Sequence, residues 1–210
     1  MKKLFLTGST SGIGSKILEV LRNDYDVFYL HYFNDKKHLS LQKKFKKLSS
    51  NAKFFKADLT NSKQTEEMIS TISDLGGVDT IIHCVSLPLE RGKLSKKSWE
   101  NFENHFNLQV RSIFMILKNL ISIMEKNKRG KIINILSEAV IGKPPSNLVD
   151  YVTAKYALLG FSKSIAAEYG KSNITCNCIS PGYTDTSLNE NNPDKLRQLI
   201  AMQTPLGKIA

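Results

Sequence analysis

The sequence predicts an α/β fold, a doubly wound parallel sheet with helices on both faces, formed by a single domain over residues 1–210. Three observations carry this prediction. Strand and helix signals alternate along most of the chain, the pattern of repeated βα units. Strands such as Asp79-Thr80-Ile81-Ile82 and Lys131-Ile132-Ile133-Asn134-Ile135 are apolar on both faces, as in a parallel sheet covered by helices. The chemistry-bearing residues also follow strand ends, where ligands bind in such sheets.

The first strand, Lys2–Leu6, runs into Thr7-Gly8-Ser9-Thr10-Ser11-Gly12-Ile13-Gly14, a glycine-rich turn that opens a helix over Gly12–Asn23. A second strand, Asp26–Tyr32, precedes a helix over Lys37–Ser49, in which Leu41, Phe45 and Leu48 recur at helical spacing among lysines. Strand three, Ala52–Ala57, ends at Asp58-Leu59 and is followed by a helix over Ser62–Leu75. Strand four, Thr80–Val85, closes with His83-Cys84-Val85-Ser86, and a long helix covers Ser98–Lys126. Strand five, Gly130–Leu136, ends at Ser137, and a helix over Tyr151–Tyr169 leads to strand six, Ile174–Ile179, and Pro181-Gly182.

Hydrophobic content of 41% suits a globular core, and no apolar run approaches a membrane span. Met1–Leu6 begins like an export signal, but the apolar stretch stops at Thr7-Gly8, so a buried strand is expected instead. Cys84, Cys176 and Cys178 form no spaced pairs, which points to a reducing compartment, no disulfides and no metal. A cytoplasmic location is expected. The net charge of +11 reflects lysines such as Lys36-Lys37, Lys43-Lys44 and Lys46-Lys47. These read as a solvated helix face; no nucleic-acid or membrane motif accompanies them.

Tyr151-Val152-Thr153-Ala154-Lys155 places a phenol and an ammonium one helical turn apart on a shared face. A nearby cation favours the phenolate and would lower the phenol pKa. Such a pair is common by chance, but here it is joined to Thr7-Gly8-x-x-x-Gly12-x-Gly14 and to Asn107 and Ser137. Together these residues resemble the short-chain dehydrogenase/reductase family of the compact kind that includes 3-oxoacyl-carrier-protein reductases. The resemblance covers essentially the whole chain and implies a Rossmann-type fold.

The resemblance implies that Gly8, Ser9, Ser11, Gly12, Ile13 and Gly14 form the cofactor turn, with the pyrophosphate at a helix N-terminus. It places Asp58 and Leu59 at the adenine, Tyr32 and Asn34 at the ribose end, and Val85 beside the cofactor. Tyr151 would be the general acid in carbonyl reduction, and Ser137 would hydrogen-bond the substrate oxygen. Lys155 would bind the nicotinamide ribose, and Asn107 would bend its long helix and hold a water. Pro181, Gly182, Thr184 and Thr186 match the segment at the nicotinamide carboxamide, with Tyr183 and Leu188 toward the substrate.

The expected cofactor is NADP(H), with NAD(H) the alternative. Strand two ends Leu30-His31-Tyr32-Phe33-Asn34 without the carboxylate of NAD-preferring relatives; Asp35 comes late, and Lys36, Lys37 and His38 follow. Against this, Ser11 stands where many NADP-preferring relatives are basic. The chain also departs from the pattern at Ser86, in place of the usual glycine, and in the one-residue-longer spacing from Ser137 to Tyr151, which the Pro144-Pro145 loop can absorb. It stops at Ala210, where relatives continue into a final edge strand.

Three functions remain open. The first is an NADPH-dependent reductase of 3-oxoacyl thioesters, with Lys128, Arg129, Lys131 and Lys171 at the rim receiving an acidic carrier protein. The second is a sugar or polyol dehydrogenase, and the third a non-catalytic dinucleotide-binding relative. A homo-oligomer is expected through the helices holding Asn107 and Tyr151.

Overall fold

The computed structural model describes residues 1–45, 51–186 and 193–209. Six parallel strands form one sheet in the order β3-β2-β1-β4-β5-β6. The strands are β1 (Lys3–Thr7), β2 (Val27–Tyr32), β3 (Ala52–Lys56), β4 (Thr80–His83), β5 (Gly130–Ile135) and β6 (Ile174–Ile179). The order reverses between β1 and β4, which opens a crevice at their carboxyl ends.

The helices are α1 (Gly12–Leu21), α2 (Asp35–Lys44), α3 (Ser62–Asp74), α4 (Trp99–Phe106), α5 (Ser112–Lys126), α6 (Val149–Tyr169) and α7 (Asp194–Gln203). Most begin at a side-chain cap. Ser11 accepts from the Gly14 N–H, Asn34 from Lys37 and Asn61 from Gln64. Ser98 and Asn101 form a reciprocal capping box at α4. Helix α6 has no side-chain hydrogen bond at its N-cap, Leu148.

Alternation along the strands divides the core. Leu4 and Leu6 of β1 face α1 and α2, packing with Leu18, Phe28, Leu30 and Leu41. Phe5 faces the layer of α3, α5 and α6, packing with Ile72, Ile81, Ile116, Ile132 and Leu158. At the carboxyl ends this second face turns polar. Thr7, His83, Asn134 and Cys178 stand in register across four strands. Thr7 Oγ1 lies 3.0 Å from His83 Nδ1, and Asn134 Nδ2 donates to Ser162 Oγ of α6 at 2.8 Å.

Several expectations change. The helix expected over Ser98–Lys126 is divided by a π turn, Asn107–Arg111, in which the Ser112 N–H donates to the Asn107 carbonyl. Helix α7 is an addition to the elements the sequence pattern gives; it follows Pro193 at the N-cap and has Asp194 in its first turn. Residues Lys46, Lys47, Leu48 and Leu188 lie outside the described residues. Lys128, Arg129, Lys131 and Lys171 do not border the crevice. They precede or open β5 and β6, at the amino ends, and Arg129 pairs with Asp79 at 2.6 Å. A six-residue strand separates the ends by about 20 Å at ~3.3 Å per residue. Loop residues just before a strand and just after it are close in sequence but stand at opposite ends of the sheet.

Among the described residues no helix is long and apolar enough to cross a membrane. Cys84, Cys176 and Cys178 are free thiols.

Ile116 is fully buried where α5 meets the sheet. Ile116→Ala should lower the unfolding free energy by about 2–5 kcal/mol, through lost burial and the cavity left behind, as measured by urea denaturation. An unchanged midpoint would mean this layer is not packed as described.

Candidate active site

The cofactor turn is built by contacts from both strands that flank β1. Gly8 has φ +64, and a Cβ there would stand 2.1 Å from the Cys84 carbonyl oxygen of the β4 end. On the other side the Gly8 N–H donates to His31 Nδ1 at 3.0 Å, and His31 Nε2 meets the Ala57 carbonyl at 3.0 Å. Because Nδ1 accepts, Nε2 carries the proton. Ser9, fully buried, donates both its N–H and its hydroxyl to the His31 carbonyl. Gly14 packs on the turn itself, since its Cβ would stand 2.2 Å from the Gly8 oxygen.

These bonds use the amides of Gly8, Ser9, Ser11 and Gly14 within the protein. The amides of Gly12 and Ile13, at the start of α1, point along the helix axis into the crevice, the arrangement that suits a phosphate. A pyrophosphate fits this cradle. Glycine is needed at positions 8 and 14 for packing, and at position 12 a Cβ would meet Thr186 Cγ2 at 2.6 Å. Thr186 therefore closes over the turn from the segment after β6.

A cleft of about 720 Å³ runs from this turn across the carboxyl ends of the strands. Of the expected cofactor residues, Gly8, Ser11, Gly12, Ile13, Asn34, Asp58, Leu59, Val85 and Thr186 line it, with Tyr151 and Lys155. The structure leaves Ser9, Gly14, Tyr32, Pro181, Gly182 and Thr184 off the cleft wall. Ser9 and Gly14 support the turn from below, and Tyr32 stacks on His38 at 3.9 Å. The Pro181 carbonyl accepts from the Glu138 N–H at 2.9 Å, and a Cβ on Gly182 would meet Glu138 Oε2 at 3.2 Å, so this segment braces the loop after β5.

At the ribose end, Asp35 is engaged with Lys56 of β3 and sits in the first turn of α2, while Lys37 joins the cleft wall. Asp58 Oδ1 accepts from the Thr60 N–H and hydroxyl, which fixes the turn after β3. Ser86 lines the cleft, its hydroxyl donating to the Leu87 carbonyl.

Tyr151 and Lys155 lie one turn apart on α6, and Ser137 ends the β5 side. The Ser137 hydroxyl accepts from the Ala139 N–H at 3.2 Å; it lies near enough to Tyr151 to favour the phenolate, though Ser137 is not among the residues that line the cleft. Lys155, 2% exposed, donates to the Ile135 carbonyl at 2.8 Å, and its Nζ lies 5.8 Å from the Tyr151 ring centre. Burial lowers the Lys155 ammonium to about 8. Burial raises the Tyr151 phenol above its usual value, outweighing the opposing influence of the nearby Ser137 hydroxyl. The expected downward shift of the phenol by Lys155 is thus not what this geometry gives, because desolvation dominates. Asn107 opens the π turn and is not among the residues that line the cleft, whereas its neighbours Asn104 and Leu108 are.

His83 has a parallel role to His31. The Thr7 hydroxyl accepts from the Cys84 N–H, so its proton goes to His83 Nδ1 and His83 Nε2–H points at the π turn. The Ser112 hydroxyl is 3.4 Å from that nitrogen and itself donates to the Leu108 carbonyl. Two buried neutral imidazoles therefore brace the cofactor turn and the kinked helix. Neither role shows in the sequence, since the partners lie 23 to 76 residues away. The apolar wall of Leu87, Pro88 and Leu89 is equally silent in the sequence, since three apolar residues after a strand carry no signal of their own.

The chain matches the family model described as short chain dehydrogenase over residues 2–197. It is 30% identical over 206 residues to the 3-oxoacyl-[acyl-carrier-protein] reductase FabG of Buchnera aphidicola, covering 97% of this chain and 82% of that one. It is 28% identical over 210 residues to Nodulation protein G of a Rhizobium species, covering 99% and 83%. Among solved structures, ElxO with NADP bound matches with a TM-score of 0.87 at 24% identity, covering 100% of this chain and 86% of that one. L-Sorbose reductase of Gluconobacter frateurii, complexed with NADPH and L-sorbose, matches at 0.86 and 24%, covering 100% and 84%.

Burial lowers His31 to about 4 and His83 to about 3, from 6.5. Both are neutral when folded, so the unfolded chain binds protons more readily between those values. Their contribution to stability is full above about pH 6.5 and is lost as pH falls toward the folded values. Urea unfolding from pH 7 to pH 4 should lose up to about 1.4 kcal/mol per pH unit for each imidazole. His83→Gln should remove one such share, and a slope identical to the wild type would contradict the assignment. On the residues of its turn and its sheet, and on the match across nearly its whole length, the chain belongs to the short-chain dehydrogenase/reductase family of oxidoreductases.

Proposed function

We propose that the chain is an NADP(H)-dependent carbonyl reductase whose substrate is an acyl carbonyl compound such as a 3-oxoacyl thioester. The observation that carries this reading is Tyr151 and Lys155, one turn apart on α6, both lining a cleft walled by Leu87, Pro88 and Leu89. An acyl chain suits that apolar wall, whereas a polyol would leave its hydroxyls without partners there. The 30% identity to a 3-oxoacyl-carrier-protein reductase supports the same substrate class. Arg91, Lys93, Lys96 and Lys143 are exposed basic side chains on this side of the sheet, in the loops after β4 and β5. They, and not the group around Arg129, are the surface offered to an acidic carrier.

The cofactor turn with Gly12 and Ile13 would hold the pyrophosphate, and Asp58 with Leu59 the adenine. Lys37 in the first turn of α2 and Asn34 at its N-cap favour a 2′-phosphate over a bare ribose, because Asp35 is engaged with Lys56. When bound there, the nicotinamide would supply hydride chemistry for the carbonyl carbon. The chain supplies the proton. Burial keeps the Tyr151 phenol protonated at neutral pH, ready to donate to the carbonyl oxygen as negative charge develops there. Ser137 hydrogen-bonds that oxygen, and the Lys155 ammonium stabilises the phenolate left behind. Asn107 acts through the π turn that it opens. Phe114 on α5 and Tyr156 on α6, 48% and 45% exposed, support pairing of these helices with those of a second copy.

Reduction of S-acetoacetyl-N-acetylcysteamine by NADPH tests the reading against a panel of ketoses and polyols. Tyr151→Phe should lower turnover by roughly 10²–10⁴-fold and leave NADPH affinity within about twofold. Turnover confined to sugars would overturn the acyl reading; no turnover with any carbonyl would overturn the catalytic one. Lys37→Ala should weaken NADPH by about tenfold, worth ~1.4 kcal/mol, and leave NADH unchanged in fluorescence titration.

A further inference from the structure

Beside Tyr151, on the side away from the cofactor turn, lies a buried polar cluster that the proton transfer does not use. Lys97 Nζ donates to Asp150 Oδ2 at 2.7 Å, and the two side chains are 5% and 1% exposed. Lys97 also donates to the Glu90 carbonyl, which draws together the loop between β4 and α4. Asp150 Oδ1 accepts from the Tyr151 N–H at 3.0 Å. His105 Nε2 of α4 is 3.9 Å from Asp150 Oδ2, and Gln109 of the π turn meets His105 Nδ1 at 3.0 Å. The His105 ring stands edge-on to the Tyr151 ring, 5.9 Å between centres.

Asp150 therefore does what the missing N-cap of α6 does not. It satisfies a first-turn amide, that of Tyr151 itself, and places a carboxylate at the positive end of the helix. A buried carboxylate needs a partner, and Lys97 reaches it across 53 residues of sequence. Two further bonds follow the same seam. The Gly92 N–H donates to the Asn147 carbonyl, and Arg91 reaches the Ser146 carbonyl. The loop held by these bonds carries the apolar wall, and its Leu89 packs against Leu148, Tyr151 and Val152.

We propose that Lys97 and Asp150 are a positioning pair: their ion pair fixes the loop after β4 against the start of α6, so that the apolar wall and the Tyr151 hydroxyl face one carbonyl subsite formed in advance of substrate. The proposal rests on the carbonyl-reductase reading for its substrate. The pair touches no part of the cofactor turn, so it should govern the carbonyl and not the dinucleotide. A preformed subsite gains affinity because the loop is already ordered.

The test compares wild type with Lys97→Met, Lys97→Arg and the neutral double variant Lys97→Met/Asp150→Leu. With S-acetoacetyl-N-acetylcysteamine and NADPH, Lys97→Met should raise KM for the thioester at least tenfold while NADPH affinity stays within twofold. Lys97→Arg should restore KM to within about threefold. The double variant, which leaves no lone buried charge, should regain thermal stability and keep the raised KM. Tryptic cleavage after Arg91, Lys93 and Lys96, followed by mass spectrometry, should be at least tenfold faster in Lys97→Met. An unchanged KM with unchanged cleavage would overturn the proposal, as would equal losses of thioester and NADPH affinity. A wild type that binds NADPH but reduces no carbonyl would instead overturn the reductase reading, and the cleavage rates would still decide whether the pair holds the loop.

Discussion

Gly8 is pressed so closely against the end of β4 that a Cβ would stand 2.1 Å from the Cys84 carbonyl oxygen, and the site depends on that approach. The contact forces the chain leaving β1 into a left-handed turn, which only glycine adopts without strain. The turn in turn aims the start of α1 across the crevice where the strand order reverses. His31 fixes the same residue from the β2 side, so the turn is held between its two neighbouring strands and not by its own sequence alone. A phosphate entering the crevice meets amides that are already in place, without the entropy of ordering a loop.

The half of the cleft around Tyr151 and Lys155 is held by different forces. Lys155 is buried against a strand carbonyl, Tyr151 is raised by desolvation, and His83 and Asn134 place polar groups beneath both. Each buried polar group is costly alone, but most have partners here: Thr7 for His83, Ser162 for Asn134, Asp150 for Lys97. The helix layer over this face cannot slide without breaking several of these bonds together. The π turn at Asn107–Arg111 belongs to the same system, since its carbonyls and Ser112 face His83.

Periodicity and glycine placement made the frame legible. All six strands and the cofactor turn follow from apolar runs bounded by turn residues, because local patterning decides them. The bend at Asn107 was expected from the resemblance, but not its form as a π turn. What stayed hidden is the long-range chemistry. Lys97 and Asp150 look like two more charges on a lysine-rich chain until the fold brings them together. His31 reads as one residue of a strand, and nothing local shows that both ring nitrogens are engaged. The sequence alone does not show which end of β5 the basic group around Arg129 occupies; the fold puts it at the amino end, away from the cleft. The tyrosine–lysine spacing shows a cation near the phenol but not the burial that raises it.

The most direct test of this account is amide NMR of the ¹⁵N-labelled chain titrated with NADPH. The account predicts saturable shifts concentrated at Gly12, Ile13 and Thr186, with residues Lys128–Lys131 unmoved. A folded chain whose spectrum does not change, or changes only away from the cleft, would contradict it.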